Sequence, residues 1–177
     1  MSKEPEQVVW QGKFITAKVQ GKWEYVSRAR GIKAAVILAI DDADHVLLVE
    51  QFRVPLGKAC LELPAGLIGD DDSAPGEDAA TAAVRELEEE TGYTAKRMEL
   101  IGEFYSSPGM VSESFTLLRA HDLSQIGPGG GTDGEDITVH RVALSDLHNF
   151  IESARKRGLG IDVRLLMLLA PGIVGGR

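Results

Sequence analysis

The sequence predicts an α+β fold, in which a mixed β-sheet lies between helices as an α/β/α sandwich, with an antiparallel β-hairpin as an N-terminal extension. Two observations predict this fold. Runs rich in β-branched and apolar residues recur along the chain, and helix-forming segments come between and after them in mixed order. The chain has 177 residues, of which 44% are hydrophobic, so its length and composition suit one domain with a normal core.

The N-terminal region predicts the hairpin. Residues 8–19 and 23–27 alternate apolar and polar side chains, and Gly21-Lys22 provides a turn between them. We therefore expect residues 1–30 to form an N-terminal β extension and residues 31–177 to form the main domain.

Three further strands follow. Residues 33–40 and 45–51 are rich in strand-forming side chains, and the aspartate-rich stretch between them predicts a turn. Residues 59–63 form a shorter apolar run that ends at Pro64. These runs predict strands of the main sheet.

The strongest helix signal follows these strands. Alanines, a leucine and charged residues predict a helix over residues 76–91, and Gly92 is the expected stop just beyond it. The remaining predicted elements are strands at 98–105, 114–120 and 137–142, a glycine-rich loop at 127–134, and helices at 144–157 and 161–170.

Composition restricts the classes of function. The formal net charge of −8 argues against a surface that binds DNA or RNA. The first residues lack an apolar signal region and no apolar run reaches membrane length, so we expect no membrane partner. The single cysteine, Cys60, excludes an internal disulfide and fits a reducing cytoplasm. Because Cys60 sits in an apolar run, it predicts a buried structural thiol rather than a nucleophile.

Three acidic residues of the predicted helix indicate a cation site. Glu86 lies three residues before Glu89 and four before Glu90, so the three side chains share one helix face, with Cβ atoms ~5–6 Å apart. At an effective dielectric of about 20, two unit charges at that distance repel by roughly 3 kcal/mol. A divalent metal relieves this repulsion better than Arg85 alone, and all-oxygen ligands suit magnesium, manganese or calcium. A solvated helix face is the alternative.

The residues around this face resemble the Nudix hydrolase signature. Glu77 is followed by seven residues, then Arg-Glu-Leu-Glu-Glu-Glu, one residue, and a Gly-Tyr pair that ends at Tyr93. The opening glycine of the signature is replaced by Asp71. We take Gly66 as its counterpart, so that residues 69–76 form a loop lengthened by five residues, an insertion that costs little chain entropy.

Other segments resemble the ADP-ribose pyrophosphatase branch of the family, which acts on nucleoside diphosphate sugars. The resemblance runs from about residue 8 to residue 169, and it implies the Nudix fold and a homodimer whose N-terminal strands reach the partner subunit. The segments that carry it are Glu50-Gln51-Phe52-Arg53, Leu61-Glu62-Leu63-Pro64-Ala65-Gly66, Ser107-Pro108-Gly109 and Gly134-Glu135-Asp136-Ile137-Thr138-Val139-His140.

The resemblance implies a role for the acidic helix. Glu86 and Glu90 are the first ligands for Mg²⁺, with Mn²⁺ as a substitute, and Glu89 contributes to the same or a second ion. The backbone carbonyl of Ala65 joins the metal shell. The residues implied to support this motif are Glu77 and Arg85, which pair to orient the helix, together with Gly66 and Gly92.

The loop that follows carries candidates for a general base. Residues 129–136 combine glycines with acids, and such a segment can close over bound substrate. Glu135 is the first candidate for base or for an extra metal ligand, and Asp133 can take the complementary role. The sequence leaves open which of them is the base, and a plain surface loop with solvated acids is the alternative.

Residues outside the signature predict the substrate contacts. Arg53 follows a strand and offers phosphate a fork of donors, while Arg28 and Arg30 are weaker candidates for the same role. Glu62 and Pro108, from the branch segments, complete the predicted substrate-binding set. A surface salt bridge is the alternative for Arg53.

Together these features predict a magnesium-dependent pyrophosphohydrolase. It splits ADP-ribose, or a related nucleoside diphosphate sugar, into a nucleoside monophosphate and a sugar phosphate. One alternative is a hydrolase that prefers a GDP- or UDP-linked hexose. Another is a non-catalytic Nudix module that binds nucleotide, which the intact set of three glutamates argues against.

Overall fold

The computed structural model of the chain describes residues 4–29, 32–69, 78–132 and 134–169. These residues form eleven strands and two α-helices, and neither helix is long and apolar enough to cross a membrane. The helices are α1 (Ala79–Thr91) and α2 (Leu147–Lys156). The strands are β1 (Gln7–Gln11), β2 (Ile15–Gln20), β3 (Trp23–Arg28), β4 (Lys33–Ala39), β5 (His45–Arg53), β6 (Lys58–Glu62), β7 (Ala65–Ile68), β8 (Tyr93–Tyr105), β9 (Ser114–Gln125), β10 (Ile137–Ala143) and β11 (Gly160–Ile161).

The N-terminal strands β1, β2 and β3 form a separate antiparallel sheet. The predicted hairpin is confirmed with one strand more than predicted, because the run over residues 8–19 turns back on itself. At that turn the amide of Gly12 donates a hydrogen bond to the carbonyl of Ile15 at 2.9 Å. Large apolar side chains of this region are exposed, among them Trp10, Phe14 and Trp23.

The main sheets are two four-stranded sheets with the orders β10-β5-β6-β11 and β7-β4-β9-β8. Both are mixed, because β11 runs parallel to β6 and β4 runs parallel to β9, while the other neighbours are antiparallel. Strand β4 is buried on both faces, so its side chains enter two different cores alternately.

The helices lie on opposite sides of these strands. Helix α1 packs through Ala83 and Leu87 into the core that contains Ile37. Helix α2 and a 3-10 helix over Val163–Leu169 pack into the core that contains Val36. Since Val36 and Ile37 are neighbours on β4, helices cover both faces of the sheet, and the predicted α/β/α arrangement is confirmed.

The main domain differs from the prediction at three places. Strand β7 was not expected, and it forms because residues after Pro64 pair antiparallel with β4, Ala65 opposite Val36. Strands β8 and β9 are longer than predicted because they pair with each other along their whole length. The predicted closing helix from residue 161 is a 3-10 helix as far as residue 169, and β11 precedes it.

Candidate functional site

Helix α1 carries the acidic residues, and residues just outside it define both of its ends. The side chain of Asp78 accepts hydrogen bonds from the amides of Ala80 at 2.9 Å and Thr81 at 3.0 Å, which caps the first turn. Gly92 follows the last turn with a φ of 72°, a conformation that favours glycine. The predicted start at residue 76 and the predicted support from Glu77 lie outside the described residues.

Gly66 on β7 lies against Glu86 on α1. A Cβ atom at position 66 would lie 1.8 Å from Cδ of Glu86, far inside any allowed contact. Glycine at this position therefore allows the helix to lie close to the strand. Asp71, which stands where the family signature has its glycine, lies outside the described residues.

The three candidate metal ligands of α1 do not all have the same partner. Glu90 is buried, and its Oε2 accepts a hydrogen bond from the amide of Ala65 at 3.0 Å. Arg85 donates from Nη1 to Glu86 at 2.9 Å and to Glu89 at 3.3 Å. Its Nη2 reaches the carbonyl of Leu67 on β7 at 3.3 Å. Arg85 thus ties two of the acids to each other and the helix to the strand beneath it.

Glu90 is in an unfavourable position for a negative charge. Burial raises the pKa of Glu90 to about 8, and the charges of Glu86 and Glu135 also raise it, against the Ala65 amide and Arg53, which lower it. A cation at this point would compensate the negative charges that act on Glu90, and hard carboxylate oxygens suit Mg²⁺ or Mn²⁺.

The described part of the chain does not hold these acids in a ready ligand cluster. No group of three or more Asp, Glu, His or Cys side chains within it is arranged to hold a metal ion. Arg85 donates hydrogen bonds to both Glu86 and Glu89. The Ala65 contact is made by its amide, so the predicted metal contact through the Ala65 carbonyl stays a prediction.

The glycine-rich loop is bonded to the C-terminal end of α1. The amide of Gly130 donates to the carbonyl of Glu90 at 2.9 Å, and the amide of Gly131 donates to that of Glu89 at 3.0 Å. Gly129 has a φ of 69°, and a Cβ atom there would lie 2.3 Å from the carbonyl carbon of Thr91. The glycines therefore allow close contact with the helix, and they satisfy carbonyls that a helix end leaves without partners.

This attachment brings Glu135 to the acidic helix. The Glu135 carboxylate accepts a hydrogen bond from the amide of Thr132 at 3.0 Å. Glu135 lines the same cavity as Glu86 and Glu90. Asp133, the other predicted acid of the loop, lies outside the described residues.

A cavity of about 630 Å³ lies beside helix α1, a volume within the usual range of small-molecule sites. Three of the carboxylates described above line it, namely those of Glu86, Glu90 and Glu135. Its other charged lining residues are Arg28, Arg53, Glu62, Glu113, Asp162 and Arg164.

Arg53 and Glu62, both predicted to bind substrate, are bonded to each other. Arg53 donates from Nε and Nη2 to the two carboxylate oxygens of Glu62, at 2.6 and 3.0 Å. These bonds raise the pKa of Arg53, to which the charge of Glu90 also contributes. Glu62 is only 2% exposed, so it holds the arginine from behind rather than facing solvent.

The other predicted substrate residues are placed differently. Arg28 lines the cavity and forms an ion pair with Glu113. Pro108 is exposed in a turn that follows β8, and Ser106, two residues earlier, lines the cavity in its place. Arg30 lies outside the described residues.

Sequence reasoning missed Asp162, Arg164 and Glu113. The available signal was the Asp-Val-Arg triplet at 162–164, because an aspartate can accept from the backbone and the side chain of a residue two positions later. In the structure Asp162 does both, since it accepts from the amide and from the guanidinium of Arg164, each at 2.7 Å.

Comparisons of the sequence with known proteins identify a matching family model and several relatives. A family model described as NUDIX domain matches residues 30–159. An ADP-ribose pyrophosphatase of Bacillus subtilis is 38% identical over 121 residues, which span 68% of this chain and 63% of that protein. A GDP-mannose pyrophosphatase of Cronobacter sakazakii is 34% identical over 160 residues, which span 85% of this chain and 77% of that protein.

A solved structure supports the fold. The crystal structure of an ADP compounds hydrolase superposes on this chain with a TM-score of 0.70. The superposition covers 97% of this chain and 92% of the hydrolase chain. Its sequence identity is 23%, so the likeness is one of fold.

Proposed function

This chain belongs to the Nudix hydrolase family, and we propose that it hydrolyses the pyrophosphate bond of ADP-ribose or a related nucleoside diphosphate sugar with the help of a divalent metal. The products are a nucleoside monophosphate and a sugar phosphate. The single observation that carries the proposal is the cavity, which is lined by Glu86, Glu90 and Glu135 together with Arg53. A pyrophosphate needs both kinds of group, because its charge must be neutralised and its ends must be held in place.

The acids of α1 are assigned to the metal. Mg²⁺ or Mn²⁺, held by Glu86 and Glu90 with Glu89 and the Ala65 carbonyl in support, would neutralise phosphate charge and acidify a bound water. Arg85 orients Glu86 and Glu89 from the side of the helix.

Proton removal from the attacking water is assigned to the loop acids. Glu135 is the first candidate, because it lines the cavity and its negative charge reaches Glu90. Asp133 is assigned the complementary role. The bonds from Gly130 and Gly131 to α1 support this assignment, because they hold the loop beside the metal-binding acids.

Two arginines that line the cavity are assigned to the substrate. Arg53 offers its guanidinium to a phosphate oxygen, since one edge of it is already fixed by Glu62. Arg28, which lines the same cavity, is a second candidate for this contact.

A hexose-linked substrate is the second candidate. The relative from Cronobacter sakazakii, which aligns over the larger share of this chain, is named a GDP-mannose pyrophosphatase. The hypothesis of an ADP-ribose substrate is supported by the relative from Bacillus subtilis, which is named an ADP-ribose pyrophosphatase.

A substrate panel tests the proposal. Purified protein is incubated with ADP-ribose, GDP-mannose and UDP-glucose, with Mg²⁺, with Mn²⁺ or with a chelator, and nucleoside monophosphate is measured. We expect turnover only with metal, and fastest for ADP-ribose. A faster GDP-mannose reaction would favour the second candidate, and binding without turnover of any compound would leave a non-catalytic nucleotide-binding module.

We further propose a cytoplasmic homodimer that associates through the N-terminal strands. The exposed side chains of Trp10, Phe14 and Trp23 support this, because large apolar groups exposed on one small sheet and its turn favour association. Light scattering on the full chain and on a Trp10→Ser, Trp23→Ser variant tests it. A monomeric mass for the unaltered chain would contradict the proposal.

A further inference from the structure

Arg164 belongs to the same network of buried charges as Arg53. The carboxylate of Glu62 accepts two hydrogen bonds from Arg53, at 2.6 and 3.0 Å, and a third from Nη2 of Arg164 at 2.9 Å. The side chain of Glu62 is 3% exposed, so these guanidinium groups are its source of compensating charge. One buried anion is therefore shared by two cations.

A second acid fixes Arg164 in this position. Asp162 accepts from Nε and from Nη2 of Arg164, each at 2.7 Å. The amide of Asp162 donates to the carbonyl of Leu61 at 3.0 Å, directly beside Glu62 on β6. The guanidinium carbon of Arg164 also lies 5.9 Å from the ring centre of Phe115. Arg164 is thus placed by the pairing of β11 with β6.

The sharing of Glu62 changes what Arg53 can offer to a ligand. A carboxylate that is neutralised by one arginine alone attracts that arginine with its full charge. When a second arginine compensates part of the negative charge of the carboxylate, the electrostatic potential of the first arginine toward the cavity stays more positive. The bonds between Arg53 and Glu62 use Nε and Nη2 of Arg53, and its Nη1 makes no hydrogen bond within the described residues.

We propose that Arg164 is a positioning residue for Arg53: by sharing Glu62 it fixes the orientation of Arg53 and preserves its charge for an anionic phosphate group of the substrate. This inference rests on the proposed function for the identity of the anion. The coupling between Arg53 and Arg164 does not depend on that function.

Steady-state kinetics of the full chain test the positioning role. We expect Arg164→Met to raise the KM for ADP-ribose about tenfold with kcat changed less than about threefold, because a charged interaction with bound phosphate is weakened. Arg164→Lys, which keeps a charge beside Glu62, should recover part of this loss. Arg141→Met is the matched control, since Arg141 donates to Asp41 at 2.6 Å and does not line the cavity. An unchanged KM in Arg164→Met, in a protein whose unaltered form turns over substrate, overturns the proposal.

A stability cycle tests the coupling without any substrate. Free energies of unfolding in urea are compared for Arg53→Met, Arg164→Met and the double variant, with the neutral Arg164→Gln in place of Arg164→Met if the latter does not fold. The double variant should lose more stability than the two single variants together, because it alone leaves buried Glu62 without a cation. Additive losses overturn the inference. Losses greater than additive in a protein without turnover would support the coupling and refute the proposed function.

Discussion

The amide of Ala65 donates a hydrogen bond of 3.0 Å to Oε2 of Glu90, and this bond joins strand β7 to the acidic helix across 25 positions of sequence. It is a contact between an edge strand that immediately follows Pro64 and the most buried of the three helix acids. Together with Gly66, which allows Glu86 to lie against the same strand, it fixes the acidic face of α1 relative to the cavity.

Replacement of Glu90 by glutamine tests its place in the site. Glu90→Gln should reduce kcat more than about a hundredfold, since loss of an outer-shell group alone can cost that much. The fold should persist, because glutamine retains an oxygen for the Ala65 amide and removes a buried charge. Kinetics and thermal unfolding measure the two effects. Glu88→Gln on the same helix is the control, and a Glu90→Gln enzyme with near-normal kcat would refute the metal assignment.

The close approach at Gly66 predicts a sensitive position. Gly66→Ala should reduce activity at least about tenfold and lower the melting temperature, because the new methyl group would overlap the Glu86 side chain. Assays and thermal unfolding of the purified variant measure both effects. Gly109→Ala serves as the control, since a Cβ there would meet no atom within 4 Å. Equal behaviour of the two variants would contradict the contact.

The bonds between the glycine loop and α1 predict that Gly129 positions Glu135. Gly129→Ala combines a positive φ with a clash against the helix end, so it should cost about 1–3 kcal/mol of unfolding free energy and also lower kcat. Gly57→Ala is matched in backbone strain, because its φ is 64°, but its Cβ would meet nothing within 4 Å. Urea unfolding measures the cost of backbone strain in both variants, and kcat measures whether Glu135 has been displaced. Loss of kcat in both variants alike would refute a specific role for the loop.

Cys60 should be unreactive in the folded protein. Burial raises the pKa of its thiol to about 11, with the charges of Glu62 and Asp162 adding to the effect. A thiol reagent at pH 8 should therefore react at least about a hundredfold more slowly with the native protein than with the protein in concentrated urea. Because the folded pKa is raised, the stabilising contribution of this thiol is complete below the unfolded pKa of about 8.5 and is lost as pH rises toward the folded value. A rapid native reaction would contradict the burial.

Much of the site can be read from local sequence because its geometry is local. Glu86, Glu89 and Glu90 share a face through helical spacing alone, and the stop at Gly92 follows from the conformation that glycine tolerates. Arg53 and Glu62 were predicted as substrate residues, but their bidentate pairing depends on the register of β5 against β6, which places Arg53 opposite Lys58. No local pattern contains that register.

Arg164 shows what lies beyond local reasoning. It is bonded to Glu62 across 102 positions of sequence, and the contact exists because two residues of β11 pair with β6. So short a strand has no periodicity to detect, and the apolar residues that follow it suggested a helix instead.

By itself the sequence determined the reaction class and the acidic helix, because a charged face, a helix stop and a family signature are all encoded within neighbouring residues. Only the tertiary structure decided which residues join that helix in lining the cavity. Strand pairing and loop attachment bring Arg53, Glu135 and Arg164 to one place, and the free energy of those contacts depends on residues far apart in the chain.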